Sequence, residues 1–311
     1  MKIFNRVPYL CVAAFGWFVR RLPKRLAMHL GSMIGRLLYR ALKRRRQIAL
    51  ENLKIAFGDT FSEREYQEIS LQSFINVGKT SIEFLRFPKL TRRNIWQEVS
   101  VEGTEHLVQS LEAGRGAVVF LPHFGNWELL ALVYGVIIPD QAKALAFPLK
   151  NWWLNELVWK YREHLSLKLI PRQQAVKETF RALKSNYAVG FFADQDAGRE
   201  GVFVDFFGRL ASAVRGPVTF ALKTGAPLHF SLDIRQRDDR HYVHISPQVT
   251  LERSDNFEQD VQTNTARLME CLEEYIRQYP AQWLWMHNRW KTLPESDWQT
   301  KRQMRGSVER H

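Results

Sequence analysis

The chain reads as an α/β protein: a largely parallel sheet flanked by helices, preceded by an N-terminal membrane-anchoring helix. Three observations predict this. Short, continuous apolar runs recur at 117–121, 188–193, 228–234 and 242–245, as in strands buried on both faces. Segments of helical periodicity separate them, the alternation that sets strands parallel. The first fifty residues hold twelve lysines and arginines and no aspartate or glutamate, around an apolar stretch at 7–19.

That stretch, VPYLCVAAFGWFV, spans about 20 Å as a helix, short of the roughly 30 Å hydrocarbon core, so it is expected to lie in or dip into a bilayer rather than cross it. Gly16-Trp17-Phe18-Val19 leads directly into arginines with no small-residue cleavage site, so the segment is expected to be retained. Residues 26–42 set Leu26, Leu30, Ile34, Leu37, Leu38 and Ala41 on one side and Arg36 and Arg40 elsewhere, the pattern of an interfacial helix. The alternatives are a basic helix packed on its own domain, or one that binds nucleic acid. The apolar run beside the charge favours a membrane surface and no nucleic acid.

Ser62 with Glu65 forms a capping box that opens a helix to about residue 85. A helix at 103–113 closes at Gly114 and Gly116, and the strand at 117–121 ends at Pro122. Further helices are expected at 126–138 and near 155–164, 176–184, 217–224 and 257–278. The organisation is therefore a basic, apolar anchor over 1–46 and one α/β domain over 47–311.

Composition narrows the function. At 45% hydrophobic and 25% charged residues the chain is globular, and Cys11 and Cys271 suggest neither a disulfide framework nor a cysteine zinc site. Of the net charge of +13, the N-terminus carries nearly all, since the remainder holds 33 basic against 32 acidic residues. Phosphate-binding loops, zinc-protease motifs and nucleophile elbows are absent. His241 and His244, three apart in a strand, face opposite sides and make a poor metal pair.

Parallel sheets place chemistry just past the carboxyl ends of strands, and two such ends carry reactive groups. The first is His123-Phe124-Gly125-Asn126-Trp127-Glu128. His123 and Glu128 converge only if the histidine stands in the turn and the glutamate on the first helical turn, with Gly125 suiting the turn and Asn126 capping the helix. Histidine beside a carboxylate is the arrangement of a general base, or else ordinary polar surface. The second is Asp194-Gln195-Asp196, followed by an apolar stretch at 202–208 that either contacts a hydrophobic ligand or packs as a core lid.

His123 to Glu128 resembles the H-x-x-x-x-D/E motif of glycerolipid acyltransferases, and the chain as a whole is similar to the lipid A biosynthesis acyltransferases. The resemblance runs from the basic N-terminus through Glu51-Asn52-Leu53, Val101-Glu102-Gly103, Gly114-Arg115-Gly116, Asp194-Gln195-Asp196 and Gly216-Pro217 to the closing Gln282-Trp283-Leu284-Trp285-Met286-His287-Asn288-Arg289-Trp290. It implies transfer of a fatty acyl chain from a thioester, usually on acyl carrier protein, to a hydroxyl of a lipid A precursor at the cytoplasmic face of the inner membrane. It implies no metal and no further cofactor. His123 would be the base and Glu128 its orienting partner, with Asp194 a rival or additional one. On the substrate side, Arg162 would bind or position phosphate, and Gly125 and Asn126 would shape the turn. Arg289 would bind phosphate or tie the C-terminal segment to the body. The same chemistry on a lysophospholipid or another glycolipid is the alternative, and a non-catalytic membrane-surface binder a more distant one.

Overall fold

The computed structural model describes residues 6–294; residues 1–5 of the expected anchor and 295–311 of the expected domain lie outside them. Helices α1 (Val7–Arg21), α2 (Lys24–Ala41), α3 (Lys43–Phe57) and α4 (Glu63–Arg86) come first. Then follow β1 (Val99–Glu102), α5 (Thr104–Glu112), β2 (Ala117–Leu121), α6 (Trp127–Ile137), β3 (Ala142–Ala146), α7 (Trp152–Arg162), β4 (Lys168–Pro171), α8 (Ala175–Lys184) and β5 (Ala188–Phe192). A hairpin of β6 (Val202–Phe206) and β7 (Arg209–Ala213) comes next, then α9 (Gly216–Thr224), β8 (Leu228–Arg235), β9 (His241–Ile245) and α10 (Phe257–Gln278).

Seven strands form one sheet in the order β1-β9-β8-β2-β5-β3-β4. Every neighbouring pair is parallel except β8 and β9. The five strands β8, β2, β5, β3 and β4 therefore share a direction, and their carboxyl ends form one rim. β2 lies at the centre with all five residues buried, the physical reason its sequence is an unbroken apolar run. Ala117, Val119 and Leu121 face the layer of α5 and α6, while Val118 and Phe120 face α8, α9 and α10. The second face also takes in Leu53 and Phe57 of α3 and Trp283, Trp285 and Trp290.

Five strands that periodicity missed, β1, β3, β4, β6 and β7, are short or of mixed composition. β3 is Ala-Lys-Ala-Leu-Ala, whose helix-favouring residues are overridden because alternate positions are buried between β4 and β5. The apolar stretch at 202–208 is not an open loop: β6 and β7 form a hairpin turning at Phe207-Gly208, with Val204, Phe206 and Phe207 buried in the core. Of its two readings, core packing holds.

α3 runs unbroken through the expected division at 46/47. α2 lies against α4 along a seam of glycines: a Cβ at Gly35 would come within 2.4 Å of Ile75 Cα, and one at Gly78 within 2.3 Å of the Gly31 carbonyl oxygen. The buried face of α2 is thus Ala27, Met28, Gly31 and Gly35, three of them small, while Leu26, Met33 and Leu37 stay exposed. Among the described residues, no helix is long and apolar enough to cross a membrane.

Candidate active site

β2 and β5 are paired so that Leu121 stands opposite Phe192. Two residues beyond each strand end, the register brings His123 opposite Asp194. His123 Nδ1 lies 2.7 Å from Asp194 Oδ1, and the His123 backbone N–H donates to Oδ2 at 3.0 Å. The Trp283 indole N–H donates to the same Oδ2 at 2.8 Å. Asp194 is 1% exposed, whereas the His123 side chain keeps 19% of its surface open, between the rings of Trp127 and Phe192. Burial alone would raise the Asp194 carboxyl, but the charge on His123 and hydrogen bonds from His123 and Trp283 outweigh it and hold the group below its ordinary value. A carboxylate on Nδ1 fixes that nitrogen as the protonated one and leaves Nε2 as the basic one.

The turn carrying His123 is held from below. Gly125 has φ +55°, and a Cβ there would meet the Asp233 carbonyl oxygen at 2.2 Å, so the position requires glycine. Its carbonyl accepts from Asn76 Nδ2 at 2.8 Å. Asn126 caps α6 by accepting from the Leu129 N–H at 3.0 Å, and its own amide donates to Glu83 at 2.8 Å. Glu83 is gripped by both terminal nitrogens of Arg235, at 2.8 and 2.7 Å. His241 bridges Glu83 at 3.1 Å and Asp233 at 2.8 Å. Burial lowers the His241 pKa, but the two carboxylates more than reverse this and raise it to about 9. Two buried acids and two buried cations thus neutralise one another beneath the turn.

The C-terminal segment closes the other side. Phe124 bridges to Trp283, the Gly125 N–H donates to the Gln282 carbonyl at 3.0 Å, and the Leu284 N–H donates to the His123 carbonyl at 3.2 Å. Asn52 of α3 donates to the carbonyls of Trp285 and His287, at 2.8 and 2.6 Å. Asp196 accepts from the Thr292 hydroxyl at 3.0 Å, and its N–H donates to His287 Nε2 at 3.1 Å. Burial, with help from Lys291 and His123, takes the His287 pKa down to about 4.

The sequence matches the description "Bacterial lipid A biosynthesis acyltransferase" over residues 4–292. The chain belongs to that acyltransferase family. It is 29% identical over 283 residues to a lipid A biosynthesis palmitoleoyltransferase of Escherichia coli (strain K12), covering 89% of each chain. It is 28% identical over 283 residues to a lipid A biosynthesis lauroyltransferase of the same organism, covering 90% of each. A phosphatidylinositol mannoside acyltransferase of Mycolicibacterium smegmatis is 31% identical over 212 residues, 67% of each chain.

In this acyltransferase the expected site residues divide into two groups. His123 and Asp194 meet. Glu128 does not reach the imidazole: Arg162 holds both its oxygens, Nε to Oε2 at 2.9 Å and Nη2 to Oε1 at 2.6 Å, because the first turn of α6 directs it toward the end of α7. Of the two carboxylates expected beside His123, Asp194 is the one hydrogen-bonded to its imidazole. Gly125 and Asn126 shape the turn, the first through its close approach to Asp233 and the second through the cap on α6. For Arg289 the two readings are phosphate binding or a tie between the C-terminal segment and the body. Arg289 is fully buried, donates to the Ser212 carbonyl at 2.5 Å and lies over Phe206, so it ties the C-terminal segment to β7. Burial lowers its pKa to about 10, against the pull of Asp194 and Asp196.

Sequence reasoning missed Trp283, Glu83, Asp233 and Arg235 as parts of the site, and read His241 only as a failed metal ligand. The signal was present: Asp233 and Arg235 interrupt an apolar strand, and charges in a buried strand demand partners.

Proposed function

We propose that the protein moves a fatty acyl chain from a thioester on acyl carrier protein to a hydroxyl of a lipid A precursor, with His123 as general base. The carrying observation is the His123–Asp194 pair at the carboxyl rim, in a chain that matches this family along nearly its whole length. His123 Nε2 takes the proton of the acceptor hydroxyl as its oxygen attacks the thioester carbonyl carbon. The tetrahedral oxyanion forms beside the amino end of α6, where helix-start amides favour negative charge. The C–S bond then breaks, and the imidazolium returns its proton to the leaving thiolate. Asp194 stabilises that imidazolium, and the base contributes about 10² to 10⁴ in rate. Arg162 spends two donors on Glu128 and keeps others for a phosphate of the acceptor. The reaction itself requires no metal or redox group, because the thioester supplies the driving force.

The exposed apolar residues of α1 and the basic N-terminus suit a monotopic enzyme at the cytoplasmic face of the inner membrane, with α1 and α2 lying in the interface. A second reading of the acceptor, a mannosylated phosphatidylinositol or similar glycolipid, is favoured by the similarity to the Mycolicibacterium enzyme. Mass spectrometry of lipid A from cells lacking the protein, complemented with wild type or His123→Ala, tests the proposal. Loss of one secondary acyl chain that only wild type restores is the expected result. Unchanged lipid A would transfer the proposal to the second acceptor, and restoration by His123→Ala would end the catalytic assignment.

A further inference from the structure

Residues 147–151 leave the carboxyl end of β3, on the same rim as His123, and lead into α7, whose last residue is Arg162. Three large apolar side chains at 147–152 stand exposed: Phe147 at 62%, Leu149 at 46% and Trp152 at 64%. They adjoin α1. Trp153 touches the Tyr9 ring at 6.1 Å between centroids and takes the Arg6 guanidinium over its face at 4.2 Å. Arg172 covers Phe147 at 4.7 Å, and Lys150 is exposed between Leu149 and Trp152.

α1 itself buries only Gly16 and Val19. At 100° per residue its exposed Val7, Leu10, Phe15, Trp17 and Phe18 cover an arc of about 160°. An exposed apolar arc this wide, on a helix that packs little of itself on the body, suits a helix lying in the hydrocarbon boundary. The charges agree with a lipid surface. No acid occurs in residues 1–50 or 142–155, while Arg6, Arg21, Lys150 and Arg172 stand exposed at the margins. Aromatic side chains edged by lysine and arginine fit the headgroup region of an anionic bilayer.

We infer that residues 147–152 are a second membrane contact, in which Phe147, Leu149 and Trp152 insert into an anionic bilayer beside α1 and set the rim that carries His123 against the lipid surface. This rests on the membrane reading of the proposed function and adds a second point of attachment. The N-terminal helices attach the chain at one place; a further contact at the strand rim fixes the orientation of the site toward an acceptor held in the bilayer.

The test uses the full chain and vesicles of phosphatidylcholine with or without phosphatidylglycerol. Phe147→Ser/Trp152→Ser, at positions too exposed to carry folding, should keep wild-type melting and keep turnover on detergent-dispersed acceptor. Its partition onto anionic vesicles should fall about tenfold or more. A fluorophore on Leu149→Cys, with Cys11 and Cys271 replaced by serine, should be quenched by lipids brominated near the headgroups. Unchanged partition and an unquenched probe would overturn the inference. So would unchanged partition with a raised KM for acyl carrier protein, which would make this surface a protein-docking site. Vesicle binding is read without acyl transfer, so a protein that binds through the loop but leaves lipid A unaltered would remove the lipid A acceptor and spare this inference.

Discussion

An imidazole whose Nδ1 faces a buried carboxylate works through Nε2, and Asp194 performs this service while accepting three hydrogen bonds at once. Asp194→Asn would turn an amide N–H toward one of those donors, so we expect a loss of about 1–3 kcal/mol in stability from the unmet bond. Turnover should fall by about 10² or more, because the imidazolium loses its charge partner. Single-turnover kinetics and urea unfolding on the same sample separate the two effects. Glu128 and Arg162 form a mostly buried pair, with side chains 15% and 28% exposed. Either single replacement leaves one charge uncompensated. A cycle of Glu128→Gln, Arg162→Gln and the double variant should therefore show a coupling of roughly 0.5–3 kcal/mol in unfolding free energy, the double variant being less destabilised than the sum. Additive effects would deny that the pair acts as a unit.

Among the elements, the turn after β2 and the seam between α2 and α4 leave least room. Gly125→Ala places a methyl against the Asp233 carbonyl at a positive φ, and relief requires moving the turn that carries His123. We expect about 1–3 kcal/mol of destabilisation, with a loss of activity larger than the unfolded fraction accounts for. Gly35→Val attacks a different link. The valine cannot fit within 2.4 Å of Ile75 Cα, so α2 must lift from α4 while the sheet stays intact. Limited proteolysis near Leu22-Pro23 should accelerate, with far-ultraviolet circular dichroism little changed. A variant as protected as wild type would show that the seam tolerates separation.

For the whole molecule, pH acts through two histidines with opposite signs. His241 has a folded pKa of about 9 against an ordinary 6.5, so the folded state binds more protons between those values. Its contribution is complete below about pH 6.5 and is lost as pH rises through 9, on the order of 3 kcal/mol. His287, held near 4, makes the folded state bind fewer protons between 4 and 6.5, so stability falls as pH drops through that window. Asp194, lowered by its partners, adds to the acid-side loss. Unfolding free energy should therefore peak near neutrality, and His241→Gln should lower the peak and flatten its alkaline side. An alkaline limb that survives this replacement would remove His241 from the account.

How far these features were legible in the sequence follows from the range of the interactions behind them. Buried central strands need continuous apolar runs, so β2, β5, β8 and β9 were visible, and with them the strand ends where His123 and Asp194 stand. The cap at Asn126 and the glycine turn were equally local, as was the contrast between a basic arm and a neutral body. Spacing within one segment suggested Glu128 for His123, but the strand register, a contact across 71 positions, delivers Asp194. Trp283 reaches the same carboxylate across 89 positions, and Arg235 reaches Glu83 across 152. Periodicity reports only which face of an element is buried. Which acid meets which base depends on how strands align and where distant segments return. Local pattern sufficed for the class of fold, the charged arm and the turn that carries His123. The tertiary structure alone decided the histidine's partner and the charges beneath it, because a buried ionic group is stabilised by whatever the packed chain brings within hydrogen-bond reach.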